Sequence, residues 1–238
     1  SQRIAGNISG GSIGPNTLAG TRFTPRVRTI AVLYSTNRPT VDRLTLDYTM
    51  RPMRDVYARM TLGWLERMYA GASAELLWSP VDSRLALGVE VNRVAQRDHR
   101  TVLGLNPLRI TTGHVSAYYS FGRGFRGQVD VGRFLAGDVG ATLTLSRTFA
   151  SGLTVGAYAT LTDMPAAVFG EGSFDKGIFL TIPMAAFLGQ PSAATYAANL
   201  QAINRDGGAR LRVPGRLYPT IQQSRAHALR QGWGAILQ

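Results

Sequence analysis

Between positions 114 and 162 the chain alternates apolar and polar residues more cleanly than anywhere else. Val129 and Val131 interleave with Gln128, Asp130 and Gly132. Leu143 and Leu145 do so with Thr142, Thr144 and Ser146, and Val155, Ala157, Ala159 and Leu161 with Thr154, Gly156, Tyr158 and Thr160. A period of two sends successive side chains to opposite faces of an extended strand, so each segment is aliphatic on one face and small and polar on the other. The connectors GRGFRG, LAGDVG and FASG are short and Gly-rich, so the strands turn straight back on one another as a β-meander.

Strand-like runs also fall at roughly 27–35, 43–50, 56–67, 70–78, 85–97 and 177–187. With four in the central stretch, that predicts about ten strands, many near the ~9–11 residues that cross a bilayer at a slant. The tight connections RPMRD, SPVDSR, GRGFRG and FASG alternate along the chain and share one end of the sheet; the other end receives the longest loops, 98–112 and 163–176. Tyr34, Trp64, Tyr69, Trp78, Phe121, Phe134 and Phe149 lie near strand ends. Uneven loops and aromatic girdles are the pattern of outer-membrane barrels. The expected fold class is therefore all-β: an antiparallel up-and-down meander forming all or part of a transmembrane barrel. Residues 1–25 read as an irregular leading segment and 26–238 as the barrel domain. The Ala-rich stretch 191–204 can form a short helix, and 224–238 fits either a closing strand or an amphipathic helix.

Composition narrows the function. The chain carries 26 basic against 14 acidic residues, and Lys176 is the sole lysine. An excess of +12 admits nucleic acid, anionic lipid or an acidic polymer as partner. The arginines punctuate strand ends rather than forming a stripe with stacking aromatics, which disfavours nucleic acid; at such positions they suit lipopolysaccharide phosphates or acidic polysaccharide. No cysteine is present, so disulfides and thiolate metal sites are excluded. The opening SQRIAGNISGG has no basic head or apolar core, so no targeting peptide is expected in it.

Several segments carry a resemblance: GWLERMYAGASAELLW (63–78), LALGVEVNRVAQRD (85–98), TTGHVSAYYS (111–120), GRFLAGDVGATLTLSRTFASG (132–152), GAYATLTD (156–163), FGEGSFDKGIFLTIP (169–183) and RDGGARL (205–211). They resemble the YjbH (GfcD) family of outer-membrane proteins from exopolysaccharide and group 4 capsule systems. The resemblance implies a β-barrel envelope protein serving polysaccharide production or secretion, with small periplasmic or lipoprotein partners; the role expected for this chain is non-enzymatic, with no cofactor.

Candidate chemistry is sparse. Gly122 to Gly127 matches G-x-G-x-x-G, but a strand follows where a dinucleotide site needs a helix, so the motif reads as a hairpin turn. His114 and Ser116 share a strand face, with Asp130 on the next strand, which offers the parts of a hydroxyl nucleophile. A barrel-borne lipid A or glycan hydrolase is the alternative they raise, and a purely structural envelope protein is a second. The same face collects Asp47, Arg59, Glu75, Glu90, Asn92, Tyr118 and Tyr158, which read as paired lumen charges or as a groove for sugar chains. The loop motif Glu171, Phe174, Asp175 and Lys176 reads as a loop folded inward. Three histidines without metal-ligand spacing argue against a catalytic metal.

Overall fold

The computed structural model describes residues 3–4, 22–24, 26–34, 41–101, 104–169, 174–183, 195–201 and 206–223. Nine consecutive strands form an antiparallel meander: β2 (Leu44–Met53), β3 (Val56–Trp64), β4 (Tyr69–Trp78), β5 (Leu85–Arg97), β6 (Leu105–Gly122), β7 (Phe125–Arg133), β8 (Val139–Thr148), β9 (Thr154–Thr162) and β10 (Asp175–Pro183). β11 (Thr195–Gln201) continues it, and β1 (Arg3–Ile4) adds parallel to β11. The eleven-stranded sheet has the order β1-β11-β10-β9-β8-β7-β6-β5-β4-β3-β2, so among the described residues it is open, with β1 and β2 at its edges.

Every tight turn expected from the sequence is present. Between β6 and β7 the turn is Arg123–Gly124, with φ of 50° and 82°. Two consecutive positive φ values mark the hairpin turn that matches strand twist, so the glycine-spaced motif is a hairpin. A Cβ on Gly124 would stand 2.0 Å from the Thr148 carbonyl oxygen, which leaves no room for a side chain.

Four expectations are corrected. The run 27–35 is not a strand: Ala31–Tyr34 is a 3₁₀ turn, because Asp206 takes the backbone N–H groups of Arg26, Arg28 and Thr29 and bends the chain. The loop expected at 98–112 shrinks to 98–104, because β6 continues back to Leu105 across a register shift between Ala95 and Arg97. The shift interrupts the ladder beside Pro107, where a residue without an N–H is tolerated. Within 191–204, residues 195–201 form strand rather than helix, because the free edge of β10 offers seven paired positions that outweigh helix propensity. Finally, Tyr34, Tyr69 and Phe134 are buried inside the molecule rather than standing in an outer girdle. Residues 224–238 lie outside the described set.

The two faces of the sheet are inverted relative to a protein packed in water. Along β7, Val129 and Val131 are 41% and 50% exposed while Asp130 is 1% exposed. Leu46, Met60, Leu76, Val91, Val115, Leu143, Leu161 and Ile178 point outward in the same way. The inner face carries the buried polar set, and a return segment, 206–223, lies against it. That segment ends in helix α2 (Leu217–Gln223); α1 (Ala166–Phe169) is a single turn after β9. The main apolar cluster unites Phe23, Val27 and Ile30 with Leu65, Met68, Tyr69, Leu135, Met164 and Leu211. It closes the sheet end opposite the tight turns. A smaller cluster of Leu77, Ala86, Tyr118, Leu217 and Tyr218 seats α2 on the inner wall.

Candidate functional site: the charged inner wall

The polar alternation of β3 to β7 places Arg59, Glu75, Glu90, Asn92, His114, Ser116 and Asp130 on one inner surface, and all are buried. Register makes them neighbours: Arg59 pairs with Glu75, Glu75 with Glu90, Glu90 with His114, and Ser116 with Asp130. Three carboxylates brought together this way need cations, and strand β3 supplies only one. Arg59 donates through Nε to Glu75 Oε2 at 2.9 Å, and its Nη1 donates to Thr61 Oγ1. Thr61 in turn donates to Asp47, tying that predicted residue into the network.

The remaining cations come from the return segment. Arg216 grips Glu90 with two parallel bonds, Nε to Oε2 at 2.8 Å and Nη2 to Oε1 at 3.0 Å. Such bidentate pairs are among the strongest that side chains form. Arg210 lies 2.9 Å from Asp130. Both oxygens of Glu75 accept the Leu217 N–H at 3.1 Å and hold the start of α2. Three guanidiniums thus balance three carboxylates. Further along, Tyr218 stacks on Tyr118 with ring centroids 3.8 Å apart and planes 11° from parallel.

The far end of the segment is pinned as firmly. Asp206 accepts the N–H groups of Arg26, Arg28 and Thr29 and the Thr29 hydroxyl. Asp138, in the turn between β7 and β8, accepts the Gly208 N–H at 2.8 Å. Burial pushes the Asp138 carboxyl up from the usual range, and the Gly208 N–H offsets only part of that. Gly208 has φ +64°, and a Cβ there would stand 2.9 Å from Thr160 Cγ2, so the glycine permits close approach to the wall. Arg28 donates to both oxygens of Glu66, at 2.7 and 3.1 Å. Burial disfavours its charge, but the Glu66 carboxylate outweighs that and leaves its pKa raised. Residues 206–223 therefore form a bolt along the inner wall, fixed at both ends and in the middle.

The nucleophile constellation assembles differently from a catalytic relay. Ser116 donates its hydroxyl to Asp130, which also accepts from Gln128 at 2.7 Å. His114 packs edge-on against Phe134, centroids 4.8 Å apart, and neither ring nitrogen has a hydrogen-bond partner among the described residues. Asn92 donates to Glu90 and Thr112. Tyr158 is half-buried over Gly177. In the loop motif, Asp175 is buried at the start of β10, and Lys176 stands 4.6 Å from the Phe174 ring centroid; Glu171 lies outside the described residues. No group of three or more potential metal ligands occurs among the described residues. Sequence reasoning missed Asp138, Asp206, Arg210 and Arg216. RDGGARL contained two of them, but a turn motif gives no hint that it lies against a wall facing carboxylates.

The family model described as exopolysaccharide biosynthesis protein YbjH, of the YjbH family, matches residues 1–223. A relative from Escherichia coli (strain K12), named uncharacterized lipoprotein YjbH, is 37% identical over 199 residues. The match covers 82% of this chain and 28% of that relative, so the chain spans little more than a quarter of its length. No solved structure matches.

Removing one partner of a buried ion pair leaves the other charge uncompensated and costs roughly 3–5 kcal/mol. Glu90→Gln and Arg216→Met should each destabilise the protein by that order, and the double variant by clearly less than their sum. Denaturant unfolding of the four proteins in the cycle checks this; strictly additive losses would show that the bolt is not held through this pair.

Proposed function

The chain belongs to the YjbH family of exopolysaccharide biosynthesis proteins, and on that premise we propose that it forms a wall section of an outer-membrane β-barrel. The barrel serves export and surface assembly of exopolysaccharide and catalyses no reaction of its own. The observation that carries the reading is the inverted sheet: aliphatic residues make up most of the exposed face of β2 to β10, with arginines on it towards the strand ends, while Arg59, Glu75, Glu90 and Asp130 are buried on the inner face. Such a contiguous apolar surface is far larger than a protein leaves against water, and it suits acyl chains.

Hydrocarbon also demands that every backbone polar group be paired, which the antiparallel ladders provide along the strands apart from the two sheet edges and the register shifts near their ends in β2, β5 and β6. The reading therefore requires further strands to close the sheet, from a longer polypeptide or from another copy. A Gram-negative envelope location agrees with the lipoprotein name of the E. coli relative. Trp78, Tyr119, Phe121, Phe125 and Phe149 lie on the outer face near the tight-turn end, where an interfacial girdle belongs. That end faces the periplasm in this reading, as short turns do in outer-membrane barrels. Lipopolysaccharide then surrounds the other rim, and periplasmic or lipoprotein components of the same pathway dock below.

The absence of chemistry in this role rests on the inner wall. Ser116 donates its hydroxyl hydrogen bond to a carboxylate that also pairs with Arg210, and neither ring nitrogen of His114 has a hydrogen-bond partner among the described residues. Activating a serine needs a base within hydrogen-bond reach.

In cells lacking the protein, secreted exopolysaccharide should fall severalfold and polymer should accumulate inside; Ser116→Ala should restore secretion as fully as the unaltered chain. Normal secretion without the protein would contradict the export role. A folded Ser116→Ala protein that fails to restore it would favour the hydrolase. For the membrane, Val131→Arg should weaken folding into lipid vesicles by about 2–4 kcal/mol, as an arginine at mid-depth on a lipid face does. A change within roughly 0.5 kcal/mol, typical of a water-exposed surface, would contradict a lipid-facing wall.

A further inference from the structure

At the tight-turn end lies an open cleft of about 900 Å³, bounded by the turn after β4, the β6–β7 hairpin, the end of β8 and α2. Four arginines line it, Arg84, Arg123, Arg126 and Arg147, against Asp82 as the single carboxylate. None of the four makes an ion pair among the described residues, whereas the arginines of the inner wall are matched with carboxylates. Four arginines gathered around one open cleft with a single carboxylate concentrate positive charge there, and such a field attracts anions.

The cluster is also oriented. The Arg147 guanidinium carbon lies 4.8 Å from the Phe125 ring centroid and 4.6 Å from that of Phe149. That of Arg126 lies 5.2 Å from the Tyr218 centroid, and Tyr218 is itself held by Tyr118 and the bolt. Planar guanidiniums held against rings present their N–H forks for bidentate carboxylate or phosphate recognition with little ordering cost. The volume matches sites that take ligands of several rings rather than a single small ion.

We propose that this cleft binds a segment of anionic, carboxylate-bearing polysaccharide at the periplasmic mouth of the barrel. The proposal rests on the export reading and adds to it the polymer class and the place of capture. A repeating chain of sugars with regularly spaced carboxylates can satisfy several of these arginines at once. The lipopolysaccharide phosphates belong to the opposite rim, so they do not supply the anion here.

The test uses the full-length protein in nanodiscs, with an oligogalacturonate as probe and its methyl ester as the uncharged control, followed by calorimetry. The oligogalacturonate should bind, the ester should not, and affinity should fall with added salt. Arg84→Gln and Arg126→Gln should each weaken binding about tenfold, while the solvent-exposed Arg54→Gln, away from the cleft, should leave it unchanged. Equal binding of the ester, or variants that bind as the parent does, would overturn the site. A dependence on phosphatidylglycerol in the nanodisc, without oligogalacturonate binding, would assign the arginines to lipid headgroups and overturn it too. The two readings fail separately: a protein needed for secretion that binds no oligogalacturonate loses only this inference, whereas normal secretion in its absence removes the export role beneath it.

Discussion

A sheet that turns its aliphatic side outward must find partners for its charges inside, and that constraint organises the whole molecule. Glu75 and Glu90 face each other across β4 and β5, Asp130 lies two strands further on β7 opposite Ser116, and all three are too buried to rely on water. One arginine from β3 cannot neutralise them. The return segment exists in this form because Arg210, Arg216 and the N–H of Leu217 complete the set. Asp206 and Asp138 fasten its other end. The glycines of RDGGARL let the segment approach the wall closely enough for those contacts, as Gly208 against Thr160 demonstrates.

The meander is legible in the sequence because period two is a local signal. β5 and β8 have the expected bounds, and the hairpin at Arg123–Gly124 follows from its glycines. The inward face of His114, Ser116, Tyr118 and Asp130 is legible for the same reason. What stays hidden depends on contacts remote in sequence. The run around Val27 has strand composition but finds a carboxylate 178 residues away that bends it, as the Arg28–Asp206 bond shows. The Ala-rich run at 195–201 has helix composition but meets an open strand edge. Pro107 argues against a strand unless a register shift opposite it is known. Aromatic position near a strand end does not reveal which side of the wall the ring occupies, so Phe134 and Tyr69 resemble girdle residues in sequence while lying inside the fold.

These features describe a rigid wall whose inner surface is already occupied. Predicted lumen residues such as Arg59 and Glu90 are committed to protein partners, so in the proposed role polymer meets the protein at the mouth rather than along this stretch of wall. Matched arginines within and unmatched arginines at the rim divide the work between them. The inner set holds the bolt, and the rim set remains open to an anion. Membership of an exopolysaccharide biosynthesis family supplies the pathway, and the inverted sheet supplies the surroundings in which such a wall would stand.

The most direct measurement of that inversion is accessibility along single strands of the protein folded in lipid. The chain has no cysteine, so one can be introduced at each of positions 128, 129, 131, 143, 144 and 145 and spin-labelled. The account predicts that labels at 129, 131, 143 and 145 collide readily with oxygen dissolved in the bilayer and hardly with a water-soluble nickel chelate. Labels at 128 and 144 should be shielded from oxygen. Ready collision of the chelate with the odd-numbered positions would contradict it.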